Sequence, residues 1–243
     1  MNKRMMNKTM TCSLLAGALF AGNALAAPIT QSFDTFGTLA GATFGGTGIP
    51  NDAVAMAVTN VGGAAGSPQV TLGLTAHQRY SNPALTNDGN GTFFANPGAD
   101  THAPSSDTDP YATWNVGFYI GGAGQDAYNY KLFYDFDLGS NTDESNHGQF
   151  SFPGGPGTIQ DSWNLGMNFL GFSLPGLILP PSLGAFDPNN TGEYSFALVA
   201  YDAPGVEVDR SAIVVQVSQV PEPGTLALLG LGLAVLAGMR RKV

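Results

Sequence analysis

Apolar and polar residues alternate along the middle of this chain, and that alternation limits what it can fold into. From Tyr128 to Phe136 every second residue is apolar, whereas Lys131, Asp135 and Asp137 stand in the opposite phase. Successive side chains of a β-strand point to opposite faces, so this pattern predicts a strand with one buried face. Clusters of Gly, Pro, Asn and Asp separate this segment from others like it, which is typical of turns between short strands.

About nine such segments lie between residues 27 and 219, and we find no run with a helical period longer than about two turns among them. Glycine and proline, at 33 and 16 of 243 residues, also favour turns over long helices. We therefore predict an all-β body over residues 27–219, folded as an antiparallel β-sandwich of roughly nine strands.

Charge is distributed unevenly along the chain. Of the nine lysines and arginines, only Arg79, Lys131 and Arg210 lie within residues 27–219, together with 17 of the 18 acidic residues. The body therefore carries a formal charge of −14. Such a body should repel nucleic acid and anionic lipid, and it favours divalent cations or basic partners.

The first 26 residues have the composition of a signal peptide. Lys3, Arg4 and Lys8 precede the apolar stretch "CSLLAGALFAG", and small residues, Ala24 and Ala26, stand at −3 and −1 of a cut after Ala26. The alternative is a buried N-terminal helix. A cut after Ala26 would remove Cys12, the one cysteine, so disulfides could not stabilise the mature chain.

The last 24 residues, 220–243, read as a separate unit. An apolar run of 16 residues, 224–239, predicts a helix of about 24 Å, somewhat short of a hydrocarbon core of about 30 Å. The basic residues Arg240, Arg241 and Lys242 follow it and should stay on the cytoplasmic side. The alternatives are a packed amphipathic helix and a plain membrane anchor.

A short motif precedes this helix: Val220, Pro221, Glu222 and Pro223. Pro-Glu-Pro, an apolar helix and a terminal basic cluster, in that order, resemble the PEP-CTERM sorting signal of Gram-negative bacteria. The resemblance implies a transient stay in the inner membrane and cutting near Pro221–Pro223 by an exosortase, a cysteine-type membrane transpeptidase. It also implies export to the cell surface or matrix, in association with exopolysaccharide and biofilm. Body segments such as "YKLFYDFDLG" resemble the same group, which has no common biochemical activity.

An oxygen-rich cluster is the candidate metal site. Asp135 and Asp137 share one face of a predicted strand, and the next loop supplies more oxygens. Such ligands suit Ca²⁺, although the spacing of an EF-hand is absent. The alternative is a solvated acidic surface, and the three histidines have no zinc-ligand spacing. The candidate calcium ligands are Asp135, Asp137, Asn141, Asp143 and Glu144.

No catalytic motif is present: the chain lacks Gly-x-Ser-x-Gly, HExxH and a P-loop. We therefore predict a non-enzymatic protein. The alternative is a carbohydrate-active domain or a carbohydrate-binding domain that uses calcium. Aromatic side chains could stack on sugar rings if exposed, but most of them lie on the apolar phase of a strand. Tyr119 is the one most expected to face outward. The aromatic candidates are Tyr111, Trp114, Tyr119, Tyr128, Tyr130, Tyr134 and Trp163.

Overall fold

The structure, a computed structural model, describes residues 27–80, 85–102, 104, 107 and 110–219. Among these residues the chain is mostly strand, so the all-β prediction is confirmed. Nine of the strands have four or more residues, and five are shorter. The strands are β1 (Thr35–Gly37), β2 (Val54–Asn60), β3 (Gln69–Gln78), β4 (Thr86–Asn87), β5 (Thr92–Ala95), β6 (Ala99–Asp100), β7 (Tyr111–Ala112), β8 (Trp114–Gly121), β9 (Asn129–Tyr134), β10 (Gly148–Phe152), β11 (Ile159–Trp163), β12 (Ile178–Leu179), β13 (Gly192–Tyr201) and β14 (Glu207–Val217).

Helical structure in the described residues is limited to single 3₁₀ turns, and none of these helices is long and apolar enough to cross a membrane. The segment 169–174, whose sequence is ambiguous between extended and helical, begins within one of these turns. Among the strands of four or more residues, β10 and the edge strand β11 were not predicted, because their apolar alternation covers too few residues to stand out. The 3₁₀ turns are Val61–Gly63, Gln125–Ala127, Glu144–Asn146 and Asn168–Gly171.

The strands form two main sheets and one small one. The five-stranded sheet has the order β1-β2-β3-β8-β11, the seven-stranded sheet has the order β12-β10-β9-β13-β14-β5-β4, and β6 pairs with β7. All these neighbours are antiparallel except β14 and β5, which run parallel. The prediction of a wholly antiparallel body was therefore wrong at this one pair. The chain reaches β4 and β5 from β3 of the other sheet, so no hairpin constrains the direction of β5 against β14.

The core lies between the two large sheets. Leu74 and Phe118 of the five-stranded sheet and Phe196 and Leu198 of the seven-stranded sheet are all at most 1% exposed. Trp114 of β8 contacts Tyr194 of β13, with ring centroids 5.7 Å apart. The apolar phase of each strand therefore faces inward, as the alternation predicts.

The outer face of the seven-stranded sheet is covered by residues 27–32, which we call the N-terminal strap. Ser32 and Ala212 exchange two backbone hydrogen bonds, of 3.1 and 2.7 Å. Ile29 is 3% exposed and packs with Phe133, Ala197, Val199 and Ala212. The opposite phase of β9, β13 and β14 is therefore partly apolar and partly buried as well.

The outer face of the five-stranded sheet is covered by residues 39–51, which we call the cover loop. Backbone N–H groups of Thr43 and Phe44 donate to Oε1 of Gln160, at 2.8 and 2.9 Å. Phe44 is fully buried at a φ of +46°. Gly117 of β8 makes room for it, because a Cβ there would lie 3.0 Å from the Phe44 ring. The cover loop thus walls in a surface that the alternation alone assigns to solvent.

Candidate functional site

A cleft opens where the cover loop ends. Its lining comes from residues 46–49 of that loop, from 77–80 at the end of β3, and from Asn115 and Ser162. Its volume is about 400 Å³, within the range of small-ligand pockets. We call it the Tyr80 cleft. Its lining comes from positions more than 110 residues apart in the chain.

The floor of the Tyr80 cleft is a polar network. Nε2 of His77 lies 2.8 Å from Oγ of Ser162, and Nδ2 of Asn115 donates to the same Oγ at 2.9 Å. Nδ1 of His77 lies 3.0 Å from the backbone oxygen of Gln78. Because a carbonyl oxygen only accepts, we assign the ring proton to Nδ1, so that Nε2 accepts from Ser162.

Burial lowers the pKa of His77 below its ordinary value, and the hydrogen bond to Gln78 offsets this only partly. The imidazole is therefore neutral at pH 7. Behind it, Asn164 donates to Oδ1 of Asn115 at 2.7 Å and holds that amide in place. The floor thus presents neutral donors and acceptors held in fixed positions.

Arg79 forms one wall of the cleft. Its Nε lies 2.7 Å from Oδ2 of Asp100, and its guanidinium lies 4.4 Å from the ring centroids of both Tyr80 and Tyr111. Tyr111 donates a hydrogen bond to Asp107. Burial, together with that hydrogen bond, raises the pKa of Tyr111 to about 12. Arg79 therefore has a paired charge and serves mainly to hold Tyr80.

Tyr80 is 74% exposed, the highest value among the exposed large apolar residues of the described chain. Its φ of +57° lies in the left-handed region, which is uncommon for a residue other than glycine. Its ring meets His102 edge-on, with ring centroids 5.6 Å apart. Backbone strain of this kind often accompanies a functional position, and here it projects an aromatic ring beside the cleft.

An exposed aromatic ring beside fixed polar groups suits a ligand with both apolar and hydroxyl faces, such as a sugar. The Ser162–His77 hydrogen bond has the distance of a nucleophile–base pair. Asn115, however, donates to the same serine oxygen, and none of the described residues that line this cleft is Asp or Glu. The cleft therefore offers a ligand an exposed ring and neutral hydrogen-bonding groups.

Sequence reasoning missed Tyr80, because it lies two residues beyond the end of β3 and outside the alternation of Val70, Leu72 and Leu74. The aromatic residues that the sequence assigned to the core do lie there: Trp114, Tyr130 and Tyr134 are each at most 2% exposed. Tyr119, expected to face outward, is half-buried against the cover loop. A tyrosine in a Gly-, Pro- and Asn-rich turn was the available signal for Tyr80.

The predicted calcium ligands contact different partner residues. Asp135, expected on a solvent-facing surface, is 1% exposed. Its Oδ1 accepts from the backbone N–H of Ser195 at 3.1 Å, and its Oδ2 accepts from the Ser195 hydroxyl at 2.9 Å. It lies against Ser195 and His147, which are distant in sequence, so the alternation around β9 alone could not show its burial.

The other four ligands lie further along the same loop. Asp137 accepts a hydrogen bond from Thr142 at 2.6 Å, and Glu144 forms an ion pair with Arg210 at 2.9 Å. A Cβ at Gly139 would lie 3.1 Å from Oδ2 of Asp137 and 3.4 Å from Oδ1 of Asn141, so these two oxygens flank one glycine. The backbone oxygen of Asp143 lies 3.0 Å from Nδ1 of His147.

Among the described residues, no three Asp, Glu, His or Cys side chains are grouped so as to hold a metal. Calcium binding by Asp135, Asp137, Asn141, Asp143 and Glu144 stays a prediction.

The predicted signal peptide (residues 1–26), sorting motif (220–223) and basic cluster (240–242) all lie outside the described residues. Comparison with known families nevertheless identifies the tail, because the family model described as the PEP-CTERM protein-sorting motif matches residues 219–242. Neither a search of curated proteins nor a search of solved structures found a match.

The chain is therefore an all-β protein with a C-terminal sorting signal. More particularly, its tail carries the PEP-CTERM sorting motif, which indicates an exported protein that is routed through the membrane and targeted to an exosortase. The sorting signal concerns this route and gives no information on the activity of the body.

Proposed function

We propose that this protein is a non-enzymatic component of the cell surface or extracellular matrix, associated with exopolysaccharide and biofilm. In this proposal, an exosortase removes the tail near Pro221–Pro223 and releases the body from the inner membrane. The sorting motif at residues 219–242 carries the proposal, since it accounts for both export and membrane passage. The Tyr80 cleft also supports this proposal, because it gives the sandwich a surface site large enough for a ligand.

The test replaces Pro221, Glu222 and Pro223 with alanines in the full chain, in its own cells. The apolar run and the basic cluster remain, so the variant should stay in the inner membrane with its tail uncut. Ser218→Ala, just before the motif, is the matched control and should be processed normally. Intact mass and cell fractionation give the readout. Normal mass and release of the triple variant would contradict processing at this motif.

A second experiment tests the final location. The exported protein should sediment with exopolysaccharide extracted from its own cells, and it should appear free in the medium of a strain that makes no such polymer. Equal distribution in the two strains would contradict the association with exopolysaccharide.

A second function, carbohydrate binding, is favoured by one observation: Tyr80 stands 74% exposed beside the polar floor of its cleft. The ring would stack on a sugar face, and Asn115 and Ser162 would exchange hydrogen bonds with hydroxyls. Tyr80→Ala should weaken binding of the extracted polymer about tenfold, or about 1.4 kcal/mol. Phe172→Ala removes another aromatic ring that is 64% exposed but lies outside the lining of the cleft. That control should bind normally, and equal affinity in both variants would contradict this site.

A further inference from the structure

Lys131 has an unusual position for a cation in so acidic a body. Arg79 is paired with Asp100, and Arg210 is paired with Glu144 and Glu207. Among the described residues, Lys131 has no carboxylate within 4 Å. Its ammonium instead donates to Oε1 of Gln149 at 3.2 Å and lies 5.3 Å from the ring centroid of Tyr201.

Residues 27–219 contain 17 acidic residues and only three basic ones. A shortage of carboxylates therefore does not explain why this half-buried ammonium has no ion-pair partner.

Lys131 lines a second cleft, of about 520 Å³, on the outer face of the seven-stranded sheet. We call it the Lys131 cleft. Tyr201 and the turn that follows it form one side, and Ser151 with the end of β10 forms the other. The turn is fixed by its own hydrogen bonds, because Oδ1 of Asp202 accepts from the backbone N–H of Val206 at 2.7 Å. The cleft therefore has a defined shape in this structure.

We propose that the Lys131 cleft binds an acidic saccharide. The carboxylate of a uronic-acid unit would meet the ammonium of Lys131, a compact charge suited to a single anionic group. The Tyr201 ring provides an apolar wall for the sugar, and Asn129 and Ser151 offer side-chain partners for hydroxyls. Asp202 is the one acidic residue in the described lining. It disfavours a doubly charged phosphate more than a singly charged carboxylate.

This site is independent of the Tyr80 cleft. Lys131 and Tyr201 point away from the core on the seven-stranded sheet, whereas His77 and Asn115 point outward on the five-stranded sheet. The two clefts also lie at opposite ends of the sandwich. Trp114, next to Asn115, contacts Tyr194 near the start of β13, whereas Tyr201 ends that strand. Seven residues of extended chain separate these two tyrosines, or about 23 Å.

The test is calorimetric titration of the full chain, purified in detergent, with a short oligogalacturonate. At an ionic strength of about 0.15 M, the Debye length of about 8 Å screens the distant acidic residues. Lys131→Met should lower the affinity at least tenfold, whereas Lys131→Arg, which keeps the charge, should stay within about threefold of the wild type. Unchanged thermal midpoints would show that the variants are folded.

Three results would overturn the proposal: no binding by the wild type, equal affinity in Lys131→Met, or displacement by inorganic phosphate as readily as by galacturonate. The last would indicate a general anion site. Tyr80→Ala should leave binding of oligogalacturonate intact, and Lys131→Met should leave binding of a neutral cello-oligosaccharide unchanged. A failure at one cleft is thereby distinguished from a failure at the other.

Discussion

Oδ2 of Asp135 lies 3.3 Å from Nε2 of His147, and both side chains are at most 1% exposed. The hydroxyl of Ser195 lies between them, 2.9 Å from Asp135 Oδ2 and 2.8 Å from His147 Nε2. Nδ1 of His147 faces the backbone oxygen of Asp143 and therefore carries a proton. The segment just after β9, the segment just before β10 and the strand β13 thus bring one buried polar row together.

This row should make stability depend on pH. Burial raises the pKa of Asp135, and the contact with His147 and the hydrogen bonds from Ser195 do not reverse the shift. The folded protein therefore holds the Asp135 proton to a higher pH than the unfolded chain does. The resulting stabilisation is fully present below about pH 4 and is lost as pH rises through the folded pKa.

Asp135→Asn removes this titration. We expect the free energy of unfolding of this variant, relative to that of the wild type, to increase as pH rises from about 4 to 7. Urea denaturation at a series of pH values measures both. The exposed Asp126→Asn, which removes a carboxylate from the surface, is the matched control. A difference between Asp135→Asn and the wild type that is constant with pH would contradict the assignment.

Because the strap packs on the seven-stranded sheet, we expect a substitution near the predicted mature N-terminus to lower the stability of the fold. Ile29→Ala removes a side chain that is only 3% exposed and leaves a cavity against Phe133 and Val199. We expect a loss of about 2–3 kcal/mol of unfolding free energy, because buried isoleucine truncations cost about 2–5 kcal/mol. Val206→Ala, at a site 61% exposed, should change stability by no more than about 0.5 kcal/mol. Similar small losses in both variants would mean that the strap is not part of the core.

The predicted cut after Ala26 would leave Ala27 as the first residue of the mature chain. The backbone oxygen of Ala27 accepts a hydrogen bond from the N–H of Glu144 at 3.1 Å, and a chain starting at Ala27 would keep this contact. N-terminal sequencing of the exported protein should therefore begin at Ala27. Ala26→Leu should block the cut, since a small residue is needed at −1, whereas Leu25→Phe, at −2, should not. Exported wild-type protein that still begins at Met1 would refute this cut.

The calcium prediction has its own measurement. Binding to the folded state alone would stabilise it by about 2.7 kcal/mol at a hundredfold excess over Kd, so millimolar calcium should raise the thermal midpoint above that in EDTA. Magnesium is the control for screening. Asp137 is half-buried and flanks Gly139 with Asn141, whereas Asp135 is enclosed, so Asp137→Asn should abolish the rise. No calcium-specific rise, or an equal rise in Asp137→Asn, would eliminate the site.

Much of the fold could be predicted because it depends on local pattern. The phase of Tyr130, Leu132 and Tyr134 shows which side of β9 enters the core, and Gly- and Pro-rich turns mark where strands end. The candidate cleft could not be predicted in this way. His77 and Ser162 are 85 residues apart, and only the pairing of β3, β8 and β11 brings them together.

By itself, the sequence determined the all-β class, the inward phase of the long strands and the sorting signal, all of which are properties of short contiguous stretches. A membrane enzyme reads a sorting motif as a linear segment, so residues 219–242 carry that information whatever the body does. Only the tertiary structure decided what covers the outer faces. Asp135 follows β9 in the same phase as Lys131, yet Asp135 is enclosed against Ser195 and His147, whereas Lys131 borders an open cleft. Alternation specifies which side of a sheet a residue occupies, but distant segments that pack against that side decide whether it meets water, a partner side chain or a ligand.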